Sequence, residues 1–436
     1  MRTGAAFELQ PAGLKRVITL RYAVALYVSS VVGAGVLVIP GLAAQAAGPA
    51  SIIAWVLLSL ASYPFAYTFS RLSARNPESG GVYAFAKEAF GTRAGAVVAW
   101  LFIAWWIAGA PAISLAAGAY VSSSVPLTRQ ETFLVAGLLL ASAFAVNYRG
   151  IRLSGKVQLL TVGVIVAVLA FAVVASIGSV RASNFSPLIP NGPSSVGVAV
   201  ALIVWSYLGY ENVSNVAEEF KDPKRDFNRS VAISVLLVSV LYLAVATVTV
   251  GTAAYKSGGG VTPFSTLMTS ILGPAGGIVI SALAVVIIFS TVNAYVAGMA
   301  RVIYAAARDG GFPPALAKVD AKTGAPGRSI MALLALVMAS LLAFYVLDLD
   351  IQWGFLGTSG AAILIYVIGS AAGIRLLRER GASRVLPWAS LLVSLAILPF
   401  IGFPLAASLA IALVGVAYSW RRLGRKAKDG LLSPFK

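Results

Sequence analysis

Along the 436 residues of the chain, long apolar stretches alternate with short polar ones, and the polar ones carry almost every charge. Apolar segments run over about 17–46, 51–75, 95–122, 131–148, 156–178, 196–219, 230–254, 275–305, 329–347, 353–374, 384–402 and 404–420. Each is long enough for a helix to cross the hydrocarbon of a bilayer. The pattern therefore predicts an all-α polytopic membrane protein with twelve transmembrane helices.

Two of these segments interrupt themselves. The first contains Ser29-Ser30-Val31-Val32-Gly33-Ala34-Gly35-Val36, two serines and two glycines at membrane depth. The sixth reads Trp205-Ser206-Tyr207-Leu208-Gly209-Tyr210-Glu211-Asn212-Val213-Ser214-Asn215. A broken helix inside the bilayer is tolerated only where the freed backbone lines a cavity or is buried in protein. The amides that reopen the first segment, around Ala34, Gly35 and Val36, would face a small anion with the positive end of a helix dipole behind them. The competing reading is that Gly33 and Gly35 only let a neighbouring helix approach. Interrupted helices at matching positions of two halves point instead to a transporter's midplane site. A linker with Pro187, Pro190, Gly192 and Pro193 separates those halves. The expected division is residues 1–182, 183–382 and 383–436, the last holding segments eleven and twelve and a basic tail.

Glu211 is the one acid placed well inside a span, so it is a candidate proton carrier, gating switch or cation partner. The bland alternative is a structural acid held by nearby hydroxyls or an arginine. Segment eight carries Ser290-Thr291, whose hydroxyls can join carbonyls near Val32 in holding Na⁺ or can bond back to their own helix. Residues 76–81 form a turn before a short interfacial helix over 82–90. Gly258-Gly259-Gly260 opens a loop able to carry a lid helix over 265–272. Segment three is aromatic, with Trp100, Trp105 and Trp106, and is kinked at Gly109-Ala110-Pro111.

Composition agrees with a membrane protein: 59% of residues are hydrophobic, 11% are charged, and the mean hydropathy is +0.89. A net charge of +18 raises nucleic acid as a partner, but the placement of the charges rejects it. With loops assigned alternately to two sides, only Arg129, Arg181 and Lys256 of the 33 Lys and Arg leave the N-terminal side. The positive-inside rule then puts both termini in the cytoplasm and the chain in an inner or plasma membrane, with the bilayer as its surroundings. No cleavable signal peptide is expected. Cysteine and histidine are absent, which excludes disulfides, thiol chemistry, His/Cys metal sites and an imidazole relay. No phosphate-binding loop is present, and neither a cofactor nor a metal is expected. A membrane-embedded enzyme would need a catalytic constellation, and a channel would need charge rings or a carbonyl filter.

Several motifs match a known family. Gly33-Ala34-Gly35-Val36 with Pro40, Pro77-Glu78-Ser79-Gly80-Gly81-Val82-Tyr83, Trp205 to Glu211, Glu218-Glu219-Phe220-Lys221-Asp222-Pro223, and Arg301 to Pro313 follow one another in the order found there. The chain resembles the amino acid–polyamine–organocation (APC) transporters over about residues 15–315. The resemblance implies a LeuT-type fold: two inverted five-helix repeats plus two C-terminal helices. It implies a substrate site at Ser30, Gly33, Ala34, Gly35 and Val36, with the Ala34 and Gly35 amides on the carboxylate. Carbonyls over 203–206 would take the ammonium, so Ile203, Trp205, Ser206, Leu208 and Gly209 belong to the site. Ile107, Ala110 and Tyr295 would wall the side chain, and Glu211 would stand beside it.

That wall is apolar, which suits a small neutral or hydrophobic amino acid moved by alternating access, proton-coupled or by exchange. Sodium coupling through Val32, Ser290 and Thr291, and a cationic amino acid or polyamine antiporter, are the alternatives within the superfamily. One departure stands out. Some proton-coupled members place a lysine in segment five, whereas Leu160-Thr161-Val162-Gly163-Val164-Ile165-Val166 has none.

Overall fold

The computed structural model describes residues 19–75, 81–149, 155–210, 223–257, 260–320, 325–377 and 381–428. It is helical throughout, with no strand among the described residues. Nine helical stretches there are long and apolar enough to cross a membrane, and Ser194–Tyr207 and Val385–Phe400 are shorter apolar helices. Large apolar side chains such as Leu60, Leu134, Leu138, Leu236, Leu342 and Val414 lie exposed on outward faces. Such a surface belongs in lipid, where the helix satisfies every backbone group internally.

The first apolar segment is two helices, α1 (Leu20–Val31) and α2 (Gly35–Ala47). After α2 come α3 (Ser51–Arg75), the short α4 (Val82–Phe90), α5 (Thr92–Ser122), α6 (Arg129–Tyr148) and α7 (Gly155–Ser176). The sixth segment is interrupted as well: α8 (Ser194–Ile203) tightens into a 3₁₀ turn over Val204–Tyr207 and then leaves helical geometry. Gly209 sits at φ 129°, a conformation open to glycine and strained for other residues. Residues 211–222, Glu211 among them, lie outside the described residues, as do 76–80 of the second motif. The chain continues through α9 (Pro223–Gly251), α10 (Pro263–Asp309), α11 (Gly327–Val346), α12 (Ile351–Leu376), α13 (Val385–Ile397) and α14 (Phe403–Lys428). α10 bends at Gly273, φ 71°, ahead of Pro274, which sets off the expected short helix over 265–272 from the long apolar run.

α5 is the central post, packed on α12, α10, α14, α6 and α4. Its contact with α12 is one of small residues. A Cβ added to Gly354 would lie 2.4 Å from Ala112 Cβ and 2.7 Å from the Ala108 carbonyl oxygen. Helices in lipid associate by such close backbone approach, because burial of apolar surface drives them together little there. α14 docks by the same means, the Trp100 indole filling the notch left by Gly415. The Trp100 N–H donates to Ser419 Oγ at 2.8 Å, and Ser419 Oγ donates to the Gly311 carbonyl at 2.6 Å.

At the arginine-rich end, α4 ties several helices together. Lys87 Nζ and Tyr83 OH both donate to Asp309 Oδ2 at 2.7 Å, and Arg75 pairs with Glu88 at 3.1 Å. Arg75 also donates to the Leu376 carbonyl. Burial, and then the Asp309 carboxylate, push the Tyr83 phenol well above its usual range, so it stays a donor at any physiological pH. The Lys87 side chain is 40% exposed, so the pair itself is worth about 1 kcal/mol or less. Asp309→Asn is expected to lower stability by about that amount. Asp309→Ala, which orphans the Tyr83 hydroxyl, should cost about 1–3 kcal/mol. Thermal unfolding of the two variants in detergent checks this, and equal losses would contradict it.

Candidate functional site

The site is assembled by two helices that stop beside each other, close enough for one hydroxyl to reach both ends. α1 ends at Val31, Val32 turns to extended geometry (φ −77°, ψ 92°), and α2 restarts at Gly35. The residue at the start of α2 is Ala34, which has no side chain able to cap its amides. A cap comes from another helix: the Ala34 N–H donates to Thr291 Oγ1 of α10 at 3.2 Å. Thr291 Oγ1 in turn donates to the Ile287 carbonyl, one turn back in its own helix, at 3.0 Å. The hydroxyl expected to bond back or to hold Na⁺ thus bonds back, and it also closes the first break.

Behind the two breaks stands Tyr242 of α9, fully buried. Its hydroxyl lies 3.0 Å from the Val31 carbonyl and 3.1 Å from the Ser206 carbonyl, so one proton is shared by the ends of both interrupted helices. Tyr207 packs edge-on to Tyr242 at 5.3 Å and hydrogen-bonds Ser59 Oγ of α3 at 2.6 Å. On the α2 side, the Tyr120 hydroxyl of α5 donates to the Leu37 carbonyl at 2.7 Å.

Trp205 is the side chain that joins the parts. A Cβ on Gly35 would come within 2.5 Å of its Cδ1 and 2.9 Å of its Nε1. A Cβ on Gly109 of α5 would come within 2.7 Å of Cζ3 and 2.8 Å of Cη2. The indole therefore spans from the start of α2 to the middle of α5, its two edges resting where only glycine leaves room. Phe355 of α12 meets it edge-on at 4.9 Å.

Next to that indole, Trp205, Leu208, Thr291 and Tyr295 line a cleft together with Trp105, Trp106, Ile113 and Val292. The side chains leave a cavity of about 10 Å³ between them, room for roughly one water molecule. Of the expected residues, Trp205, Leu208, Thr291 and Tyr295 come together on this cleft. Gly33, Ala34, Gly35 and Val36 form its neighbouring break, and a Cβ on Gly33 would sit 3.5 Å from Thr291 Oγ1. Ile203, Ser206 and Gly209 form the second break. Ser30 lies in the last turn of α1, and its side chain is outside the described residues.

On α5 the register differs from expectation. Ile107 and Ala110 are not among the lining residues; Trp105, Trp106 and Ile113 are. Trp106, Gly109 and Ile113 follow helical spacing on one face. Ile107 belongs to the next face over, and its carbonyl accepts from Ser340 of α11 at 2.7 Å. Tyr242 and Val292 carry no signal in the sequence that sets them apart from core residues.

Thr291→Val removes the acceptor of the Ala34 amide while keeping the side chain's shape. It is expected to destabilise the protein by about 1–3 kcal/mol, and Thr291→Ser should lose much less. Thermal unfolding of both variants tests this, and a Val variant as stable as the native protein would contradict it.

A family model described as amino acid permease matches residues 18–420. The chain is 32% identical to an uncharacterized amino acid permease, YecA, of Bacillus subtilis, over 95% of this chain and 98% of the relative. It is 27% identical to the L-methionine/branched-chain amino acid exporter YjeH of Escherichia coli, over 85% of this chain and 88% of that one. The branched-chain amino acid permease BcaP of Bacillus subtilis is 28% identical, over 69% of each chain.

Proposed function

The chain belongs to the amino acid permease family, and from that premise we propose that it is a secondary transporter of neutral, apolar amino acids. The observation that carries the substrate class is the lining of the cleft, which includes four aromatic and three aliphatic side chains and, among the described residues, no charged one. A cationic side chain or a polyamine would find no charged partner among those eight side chains, and an unpaired charge there is costly. Two of the relatives carry branched-chain amino acids in their names, in keeping with an apolar wall.

In this reading the α-carboxylate takes the amides of Ala34 and Gly35, displacing the Thr291 hydroxyl from the first. The ammonium lies against carbonyls over 203–206, and Trp205 swings off Gly35 to admit the ligand. A helix start offers amides and a positive dipole to the carboxylate. The end of α8 offers carbonyls to the cation. Residues 1–182 and 183–382 are two inverted five-helix repeats that rock about this point, and the last two helices are accessory. In the same reading twelve crossings leave both termini on one side, which the positive-inside rule makes the cytoplasmic side of an inner or plasma membrane.

Proton coupling through Glu211, or exchange, is the coupling this reading takes, with Na⁺ near Val32, Ser290 and Thr291 as the alternative. Uptake of labelled L-leucine into proteoliposomes tests this, run under a proton gradient, under a sodium gradient, and with neither but with leucine preloaded. Uptake driven by the proton gradient, or only into preloaded vesicles, is expected; dependence on sodium would overturn the coupling. In the first case Glu211→Gln should flatten the pH dependence of transport, and an unchanged pH profile would return Glu211 to a structural role.

A further inference from the structure

The last helix does not stop where its apolar run stops. The stretch of α14 able to cross a membrane is Phe403–Arg422, yet the helix continues to Lys428. Ala410, Val414 and Ala417 are exposed and mark its outward, lipid-facing side. The same three- and four-residue spacing leads on to positions 421, 425 and 428, which are Arg, Arg and Lys. These charges continue the side of the helix that faces lipid, so they emerge beneath lipid headgroups and not beneath protein.

Arg421 is exposed at the centre of this side, and an arginine stands on each flank, braced on an aromatic residue. Arg422 donates to the Tyr418 hydroxyl, one turn back, at 3.1 Å. Arg93 of α5 lies over the Trp420 ring at 5.6 Å. Tyr418 and Trp420 are 41% and 46% exposed, as amphipathic rings are at the level of the headgroups. None of the three arginines pairs with a carboxylate among the described residues. Their own helix offers none, since no acid lies between Glu379 and Asp429 in the sequence. The positive-inside bias asks only for charge on one side of a membrane. Unpaired guanidinium groups held at the membrane surface add a planar fork that matches phosphate oxygens. We propose that this end of α14 is a binding surface for an anionic phospholipid, with Arg421 on the phosphodiester and Arg93 and Arg422 beside it.

The test titrates the full-length protein in neutral detergent with dioleoylphosphatidylglycerol or with dioleoylphosphatidylcholine, and reads bound lipid by native mass spectrometry. Each basic residue near the surface strengthens the attraction to anionic lipid by about fivefold. The anionic lipid should therefore bind at least about twentyfold more tightly than the zwitterionic one. Arg421→Gln combined with Arg422→Gln should cut that preference by at least about tenfold, and Arg93→Gln, on another helix, by about fivefold. Equal binding of the two lipids by the native protein would overturn the proposal. A preference unchanged in both variants would overturn its assignment to this end of α14. Inorganic phosphate that displaces the anionic lipid at equal concentration would overturn the lipid in favour of a free anion.

Discussion

Gly35→Leu is expected to abolish amino acid binding, by at least about a hundredfold, while leaving a folded protein. The position is the first residue of α2, next to the Ala34 amide that Thr291 caps. A Cβ there already meets the Trp205 ring at 2.5 Å, and the far edge of that ring rests on Gly109, where a Cβ would come within 2.7 Å. The indole therefore has no room to retreat along its own plane, and a branched side chain forces it into the cleft. Two charge-assisted hydrogen bonds to a carboxylate, each worth about 1.5–3 kcal/mol, would be lost together. That sum corresponds to about a hundredfold or more in affinity. Gly35→Ala should be intermediate, since a single methyl displaces the ring less. Thermal stabilisation by L-leucine is the readout, and a Leu variant that binds with unchanged affinity would remove the carboxylate from this break.

The second large effect is expected of Tyr242→Phe. One hydroxyl proton serves the Val31 and Ser206 carbonyls, 3.0 and 3.1 Å away. Its removal leaves both in a dry interior, at a cost of about 1–3 kcal/mol. The substitution conserves the ring that packs between Trp55 and Tyr207, so the loss comes from the hydroxyl and not from a cavity. Because that hydroxyl is what the two broken helices share, their mutual position loosens as well. Transport should fall at least tenfold, together with the melting temperature. A variant that loses stability yet transports normally would show that the tyrosine holds the fold and not the site.

The two breaks were legible because glycines and serines clustered in an apolar run weaken a helix at a depth where no water can take over its hydrogen bonds. Their paired positions in two halves reinforced each other. The short helix over 265–272 was legible too, set between the Gly258-Gly259-Gly260 loop and the bend at Gly273. The face of α5 that lines the cleft was not legible. Apolar residues cover every face of that helix, so no polar stripe phases it, and the expectation fell on Ile107 and Ala110 rather than on Trp105, Trp106 and Ile113. Tyr242 escaped for a different reason. Its partners are main-chain carbonyls, which leave no trace in residue identity, and a lone tyrosine in an apolar segment reads as core. Thr291 stood out as a hydroxyl at the right depth, but sequence could not show that the Ala34 amide and the Ile287 carbonyl already occupy it.

The central claim is that one break reads a carboxylate, the other an ammonium, and the rings between them an apolar side chain. Calorimetric titration of the purified protein with L-leucine, isoamylamine and 4-methylvalerate tests it most directly, since the last two lack the carboxylate and the ammonium respectively. Only leucine should bind well, with each truncated ligand at least tenfold weaker. If either binds within about twofold of leucine, the break assigned to its missing group does not read that group.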